Sequence, residues 1–137
     1  MSDSKIFIDS NILICLFDGD AKRKAFATSL KNKNHIISTQ VINENINVCL
    51  KKIKLSKLEA FSHGAYLMDN FEIVTITKST IETAFSISIK YEYSFWDSLI
   101  LSSAIESGCN IIYSEDMQHG QIIEDRLTIV NPFSGKK

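Results

Sequence analysis

Short runs of branched apolar residues alternate along this chain with longer stretches of helical periodicity. KIFI (5–8), HIIS (35–38), FEIVTI (71–76), NIIY (110–113) and LTIV (127–130) are four to six residues long. They are nearly continuous in apolar character, as expected of strands covered on both faces. Between them the period lengthens. Helices are predicted from about Asn11 to Phe17, Ala21 to Leu30, Ser56 to Asp69, Ser79 to Tyr91 and Phe95 to Ser107, the last stopped by Gly108. A further helix, capped by Ser38 or Thr39, carries Val41, Ile42, Ile46 and Cys49. The alternation predicts an α/β fold, a five-stranded parallel sheet wrapped by helices. No repeat, low-complexity tract or Pro/Gly-rich linker divides the chain, so its 137 residues are expected to form one domain, 1–137.

One position breaks the pattern. In SFWDSLILSSAIESG (94–108), Asp97 lies in line with Ile100, Leu101 and Ala104, three, four and seven residues on, along the face that should meet a core. Ser94 three residues earlier offers a bland account, a capping box with an acid in the first turn, favoured by the helix dipole. That explains an acid but not its apolar face. Burying an unpaired carboxylate costs several kcal/mol, so it must be neutral, paired or bound to a cation. No Lys or Arg occurs between Tyr91 and Met117 to pair with it locally.

Ligands of a parallel sheet bind beyond the carboxyl ends of its strands. Asp9-Ser10-Asn11 follows the first strand, and Ser114-Glu115-Asp116 follows the fourth. Glu44 sits early in the helix after the second strand, on a face shared with Val41 and Val48. Taken singly, Asp9 reads as a helix cap and Glu115-Asp116 as turn residues. Taken together with Asp97, they form a carboxylate cluster without built-in cations, which a hard divalent ion such as Mg²⁺ or Mn²⁺ would relieve. Such an ion can activate water and clamp phosphate oxygens.

Composition excludes several classes. Hydrophobic residues make up 45% and charged residues 23%, which rules out a disordered chain. No apolar run reaches the roughly 18 to 20 residues that cross a bilayer. The opening MSDSKIFIDS carries Asp3 and Asp9 and lacks a basic segment followed by a long apolar one, so no signal peptide is expected. Cys15, Cys49 and Cys109 are dispersed in apolar surroundings, predicting buried thiols and a cytoplasmic protein. His35, His63 and His119 show no ligand spacing, which argues against zinc. The net charge is −1, but its distribution is uneven: Lys22, Arg23, Lys24, Lys31, Lys33, Lys51, Lys52, Lys54 and Lys57 face only Glu44 between residues 21 and 58. These are either the solvated faces of surface helices or a track for a polyanion.

FIDSNILI, the early-helix Glu of STQVINE, the 94–108 stretch and IIYSEDMQHGQ together resemble the four acidic blocks of PIN-domain nucleases, most closely the VapC-type toxins of bacterial toxin–antitoxin pairs. The resemblance spans Ile6 to the closing VNPF (130–133), while the middle, Val48 to Tyr91, matches only in pattern. It implies a three-layer α/β/α fold and metal-binding, catalytic acids at Asp9, Glu44, Asp97 and Asp116. Asn11 and Ser114 fall on supporting polar positions, Ser114 replacing the family's Thr; the motif offers Glu115 beside Asp116. The resemblance further implies a Mg²⁺- or Mn²⁺-dependent endoribonuclease leaving a 5′-phosphate and a 3′-hydroxyl. A homodimer and a cognate antitoxin whose tail blocks the acidic pocket follow from it as well. Lys22, Arg23, Lys24, Lys51, Lys52 and Lys54 then become candidates for an RNA-backbone track. A housekeeping RNA-processing nuclease and a catalytically silent PIN-fold scaffold remain alternatives. A signalling receiver does not: it needs paired acids after the first strand, an Asp after the third and a Lys after the fifth.

Overall fold

The computed structural model describes residues 5–32 and 34–134; Asp3 and Lys33, named above, lie outside them. In chain order the elements are β1 (Ile6–Ile8), α1 (Ser10–Leu13), α2 (Ala21–Ser29), β2 (His35–Ser38), α3 (Thr39–Lys51), α4 (Lys57–Asn70), β3 (Glu72–Val74), α5 (Lys78–Tyr91), α6 (Phe95–Glu106), β4 (Ile111–Tyr113), β5 (Ile122–Ile123) and β6 (Leu127–Val130). The helix expected at 11–17 is split, because α1 tightens into a 3-10 turn over Ile14–Phe17.

The strands form one sheet in the order β3-β2-β1-β4-β6-β5, with helices on both sides. β1 is central, pairing in parallel with β2 (Phe7 opposite Ile36) and with β4 (Phe7 opposite Ile112). Phe7, Ile8, Ile36, Ile37, Ile112 and Ile129 are completely buried, which accounts for the unbroken apolar runs. The chain steps outward from β1 through β2 to β3, then returns to β4 on the far side of β1. Strand order therefore reverses beside the carboxyl end of β1, where an open α/β sheet leaves a crevice.

The expectation of five parallel strands is corrected to six, the sixth being β5, antiparallel to β6 at the edge. β5 is two residues long, too short to show a period. Its hairpin turn also lacks the usual Asn-Gly or Asp-Gly. Glu124 and Asp125 take φ of 54° and 55°, and Arg126 N–H donates to the Ile123 carbonyl at 3.0 Å, a type I′ turn built from acids. Left-handed backbone costs a non-glycine residue about 1 kcal/mol or more. Contacts from α5 offset it: Lys90 Nζ and the Tyr91 hydroxyl donate to Glu124 Oε2 at 2.9 and 2.8 Å, and Tyr91 Oη accepts the Glu124 N–H at 2.9 Å.

α6 is buried from Ser98 through Ile105 without interruption, as befits a helix apolar on every side. Of its buried serines, Ser102 donates to the Thr80 carbonyl on α5 at 2.7 Å and Ser103 to that of Leu99 at 3.0 Å, while the Ser98 hydroxyl has no partner among the described residues. Gly108, at φ 80°, ends it. Gly108 N–H reaches the Ile105 carbonyl and Cys109 N–H the Ala104 carbonyl, both at 3.0 Å, the paired bonds of a Schellman close. All three cysteines are free thiols and buried, as expected. Among the described residues no helix is long and apolar enough to cross a membrane.

Candidate active site

A cleft of about 520 Å³ opens at the reversal point, and Asp9, Glu44, Asp97 and Asp116 all line it, with Asn11 and Glu115. These four acids come from four separate stretches of the chain, and Asp18 and Glu115 bring the carboxylates lining the cleft to six. Asp9 follows β1 and caps α1, its Oδ1 accepting the Ser10 N–H at 2.7 Å. The bland reading of Asp9 is therefore true and incomplete, because its Oδ2 accepts the Ser114 hydroxyl at 2.8 Å and Asn11 Nδ2 at 3.3 Å. Asn11 Oδ1 accepts the Glu115 N–H at 3.0 Å, and Ser114 Oγ accepts the Asp116 N–H at 3.2 Å. Asn11 and Ser114 thereby stitch the loops after β1 and β4 together.

Glu44 is gripped at both oxygens. The Ser10 hydroxyl donates to Oε1 at 2.6 Å, and Gln40 Nε2 donates to Oε2 at 2.9 Å while also reaching the Trp96 carbonyl at 3.2 Å. Sequence reasoning passed over both residues. Gln40 was legible, lying one helical turn before Glu44; Ser10 was hidden because its partner is 34 residues away.

Burial raises the pKa of Asp9 from 3.8 to about 7, reinforced by the nearby charges of Glu44 and Asp97. The Asp97 carboxyl is raised as well, first by burial and then by Asp116 and Glu44. Neither has a basic partner among the described residues, whose ion pairs join Arg23 to Asp18 and Glu115, and Lys90 to Glu124. Glu115 and Asp116 diverge. Arg23 holds Glu115 in a two-pronged pair (2.6 and 2.7 Å), donates from Nε to Asp18 at 2.7 Å and lies over the Phe133 ring at 4.3 Å. Asp116 is exposed, and its carboxylate takes no hydrogen bond among the described residues.

The acids ring the cleft rather than meet at a point; among the described residues no three Asp, Glu, His or Cys side chains stand close enough to hold one ion jointly. Their chemistry nevertheless fits a hard divalent cation. The donors are all carboxylate oxygens, two with raised pKa and none paired with a base. Of the basic residues, Lys52 and Arg23 line the cleft, while Lys22, Lys24, Lys51 and Lys54 are exposed outside its lining.

The family model described as the PIN domain matches residues 6–123. No curated protein matches the chain by sequence. Among solved structures, a toxin–antitoxin complex from Klebsiella pneumoniae is 20% identical with a TM-score of 0.71, over 93% of this chain and 98% of that one. DNA-bound VapBC from Salmonella typhimurium is 14% identical with a TM-score of 0.70, over 93% and 97%. VapC20 from Mycobacterium tuberculosis, described as a sarcin-ricin loop cleaving toxin, is 20% identical with a TM-score of 0.67, over 81% and 89%. At these identities the likeness is one of fold.

Proposed function

The chain belongs to the PIN-domain family, and on that premise we propose that it is a Mg²⁺- or Mn²⁺-dependent endoribonuclease, the toxin of a toxin–antitoxin pair. The observation that carries this reading is the convergence of Asp9, Glu44, Asp97 and Asp116 on one cleft at the strand-order reversal. A silent scaffold has no need of four acids in one cleft, two of them with pKa values raised by burial and then by their neighbours' charge.

Asp9, Glu44, Asp97 and Asp116 would hold the ion. When bound, it supplies an activated water and neutralises charge on the phosphate. Ser114 and Asn11 aim the Asp9 carboxylate, and Ser10 and Gln40 hold Glu44 on both sides, so that side-chain entropy is spent before substrate arrives. Glu115 contributes differently. Neutralised by Arg23, it ties the Ser114–Asp116 loop to α2.

Lys52 at the cleft, with Lys22, Lys24, Lys51 and Lys54 beyond it, forms the RNA-backbone track of this proposal. Arg23 joins that track only by breaking its pair with Glu115. An antitoxin partner is supported by relatives solved as toxin–antitoxin complexes. The homodimer of the proposal is supported by the apolar surface of Phe85, Ile89 and Trp96, three side chains more than half exposed on α5 and α6. Buried, unpaired cysteines support the cytoplasm, and the 137 residues act as one domain in this reading.

Excess EDTA should abolish RNA cleavage and added Mn²⁺ should restore it; undiminished cleavage in chelator would overturn the metal reading. Reversing the charge of Lys51, Lys52 and Lys54 should weaken RNA binding and flatten its salt dependence by up to about one log unit of slope per lost phosphate contact. An unchanged slope would return these lysines to ordinary solvated surface.

A further inference from the structure

Behind the cleft, a buried hydrogen-bonded line runs from α4 to the residue that joins two of the acids. Ser10 donates its hydroxyl to Glu44 and its N–H to Asp9, and its carbonyl accepts Asn45 Nδ2 at 3.3 Å. Glu44 and Asn45 are adjacent on α3, so that helix holds Ser10 by side chain and backbone at once. Asn45 is completely buried, and its Nδ2 also donates to the Val41 carbonyl at 3.2 Å. With both amide hydrogens directed at carbonyls, Asn45 Oδ1 is left as an acceptor. It faces His63 Nε2 on α4 at 2.9 Å. That geometry fixes the tautomer: His63 carries its proton on Nε2 and donates it. Burial pushes the His63 pKa below its ordinary value, consistent with a neutral ring bearing one N–H.

The contact depends on a close helix approach. Gly64, next to His63, lies so near α3 that a Cβ built there would stand 2.8 Å from Ile46 Cδ1. On its other side the His63 ring meets Phe17 edge-on at 4.9 Å and stacks on Tyr66 at 6.3 Å, so its plane is held by packing.

We propose that His63 and Asn45 are positioning residues of the acidic centre, holding Ser10 so that its hydroxyl stays on Glu44 and its N–H on Asp9. The inference rests on the nuclease reading for its catalytic consequence, but not for its structural one. His63→Phe keeps a ring against Phe17 and Tyr66 and removes both ring nitrogens, the Nε2 N–H to Asn45 among them; His63→Gln returns an amide N–H near the same place.

Three measurements on the full chain test the line. In metal-free protein, long-range ¹H–¹⁵N NMR should show His63 as the Nε2-protonated tautomer. The amide resonances of Ser10 and Glu44 should move in His63→Phe and return in His63→Gln. A His63 protonated on Nδ1, or Ser10 and Glu44 resonances unmoved in His63→Phe, overturns the proposal whether or not the protein cuts RNA. Titrating Mn²⁺ against melting temperature and against cleavage should show His63→Phe needing about three- to tenfold more Mn²⁺, less than the 10- to 100-fold typical of a group bonded directly to a ligand. His63→Gln should return to within about twofold. A His63→Phe variant that titrates like the parent overturns the positioning role, as does a folded His63→Gln that recovers nothing. Should the parent neither bind Mn²⁺ nor cleave RNA, the nuclease reading fails while the resonances still decide the line.

Discussion

Two stretches of this chain carry the same local pattern, a serine followed three residues later by an acid at the start of a helix, and they end in different chemistry. At α4, Ser56 Oγ accepts the Glu59 N–H at 3.1 Å and Glu59 Oε1 accepts the Ser56 N–H at 2.9 Å, a closed capping box on the surface. At α6, Ser94 Oγ accepts the Asp97 N–H at 3.1 Å, but the return bond is not part of the cap. The Asp97 carboxyl instead faces the cleft, with its pKa raised by burial and by Asp116 and Glu44. One acid completes its own helix, while the other leaves that task to the serine and is available to a ligand. A cap motif therefore says where a helix starts and nothing about what its acid is for.

The comparison breaks most readily at Asp97. Asp97→Asn keeps the backbone N–H that Ser94 accepts and removes one of four mutually repelling charges. Cleavage should fall by orders of magnitude, while the metal-free protein holds its melting temperature or gains a little. It should also lose much of the stabilisation Mn²⁺ gives the parent. A destabilised variant that cuts RNA at the parent's rate would place Asp97 with Glu59, as a cap.

A smaller effect comes from pH. The folded state binds the Asp9 proton more tightly than the unfolded chain does, with a pKa of about 7 against 3.8. The stability this adds is present below about pH 4 and is lost as pH rises through 7. Buried, neutral His63 acts in the opposite sense at acid pH, so the quantity to read is the difference between parent and Asp9→Asn. In EDTA the parent's melting temperature should fall relative to the variant's between about pH 4 and 7 and level off above that. Protons compete with the cation for the same oxygens, so parent cleavage at limiting Mn²⁺ should drop about tenfold per unit below pH 7. Flat profiles in both measurements would mean that burial leaves Asp9 an ordinary carboxylate.

The smallest effect sharpens the other side. Glu59→Ala should cost about 0.5 to 1 kcal/mol in denaturant unfolding, the value of one lost surface hydrogen bond in a cap, and leave cleavage unchanged. An accompanying loss of activity would mean that α4 reaches the site through more than His63.

The helices were legible because their evidence is local: apolar period, a capping hydroxyl, a glycine past the end. Five of six strands were legible for the same reason, as continuous apolar runs. β5 was not, because its turn is made from Glu124 and Asp125 in a conformation that neither prefers, held there by Lys90 and Tyr91 from a helix some 33 residues earlier. The acids could be read one at a time as residues following strands, and Asp97 as an acid on an apolar face. Gln40 stood one turn before Glu44 in plain view, but Ser10, and the Trp96 carbonyl that Gln40 also reaches, became visible only once α3, α1 and α6 met.

The chain by itself determined where backbone hydrogen bonds close, since caps, periods and turn residues act within four or five positions of themselves. Tertiary structure decided which carboxylates are used up and which remain available. Glu115 and Asp116 are neighbours, yet only Glu115 meets Arg23, 92 residues away, and only Asp116 is left without a base. Glu59 and Asp97 share a motif, yet only Asp97 lies where three other acids converge. The reason is physical: a side chain's charge state and partner depend on burial and on groups brought near by folding, and neither is encoded within the span of a local motif.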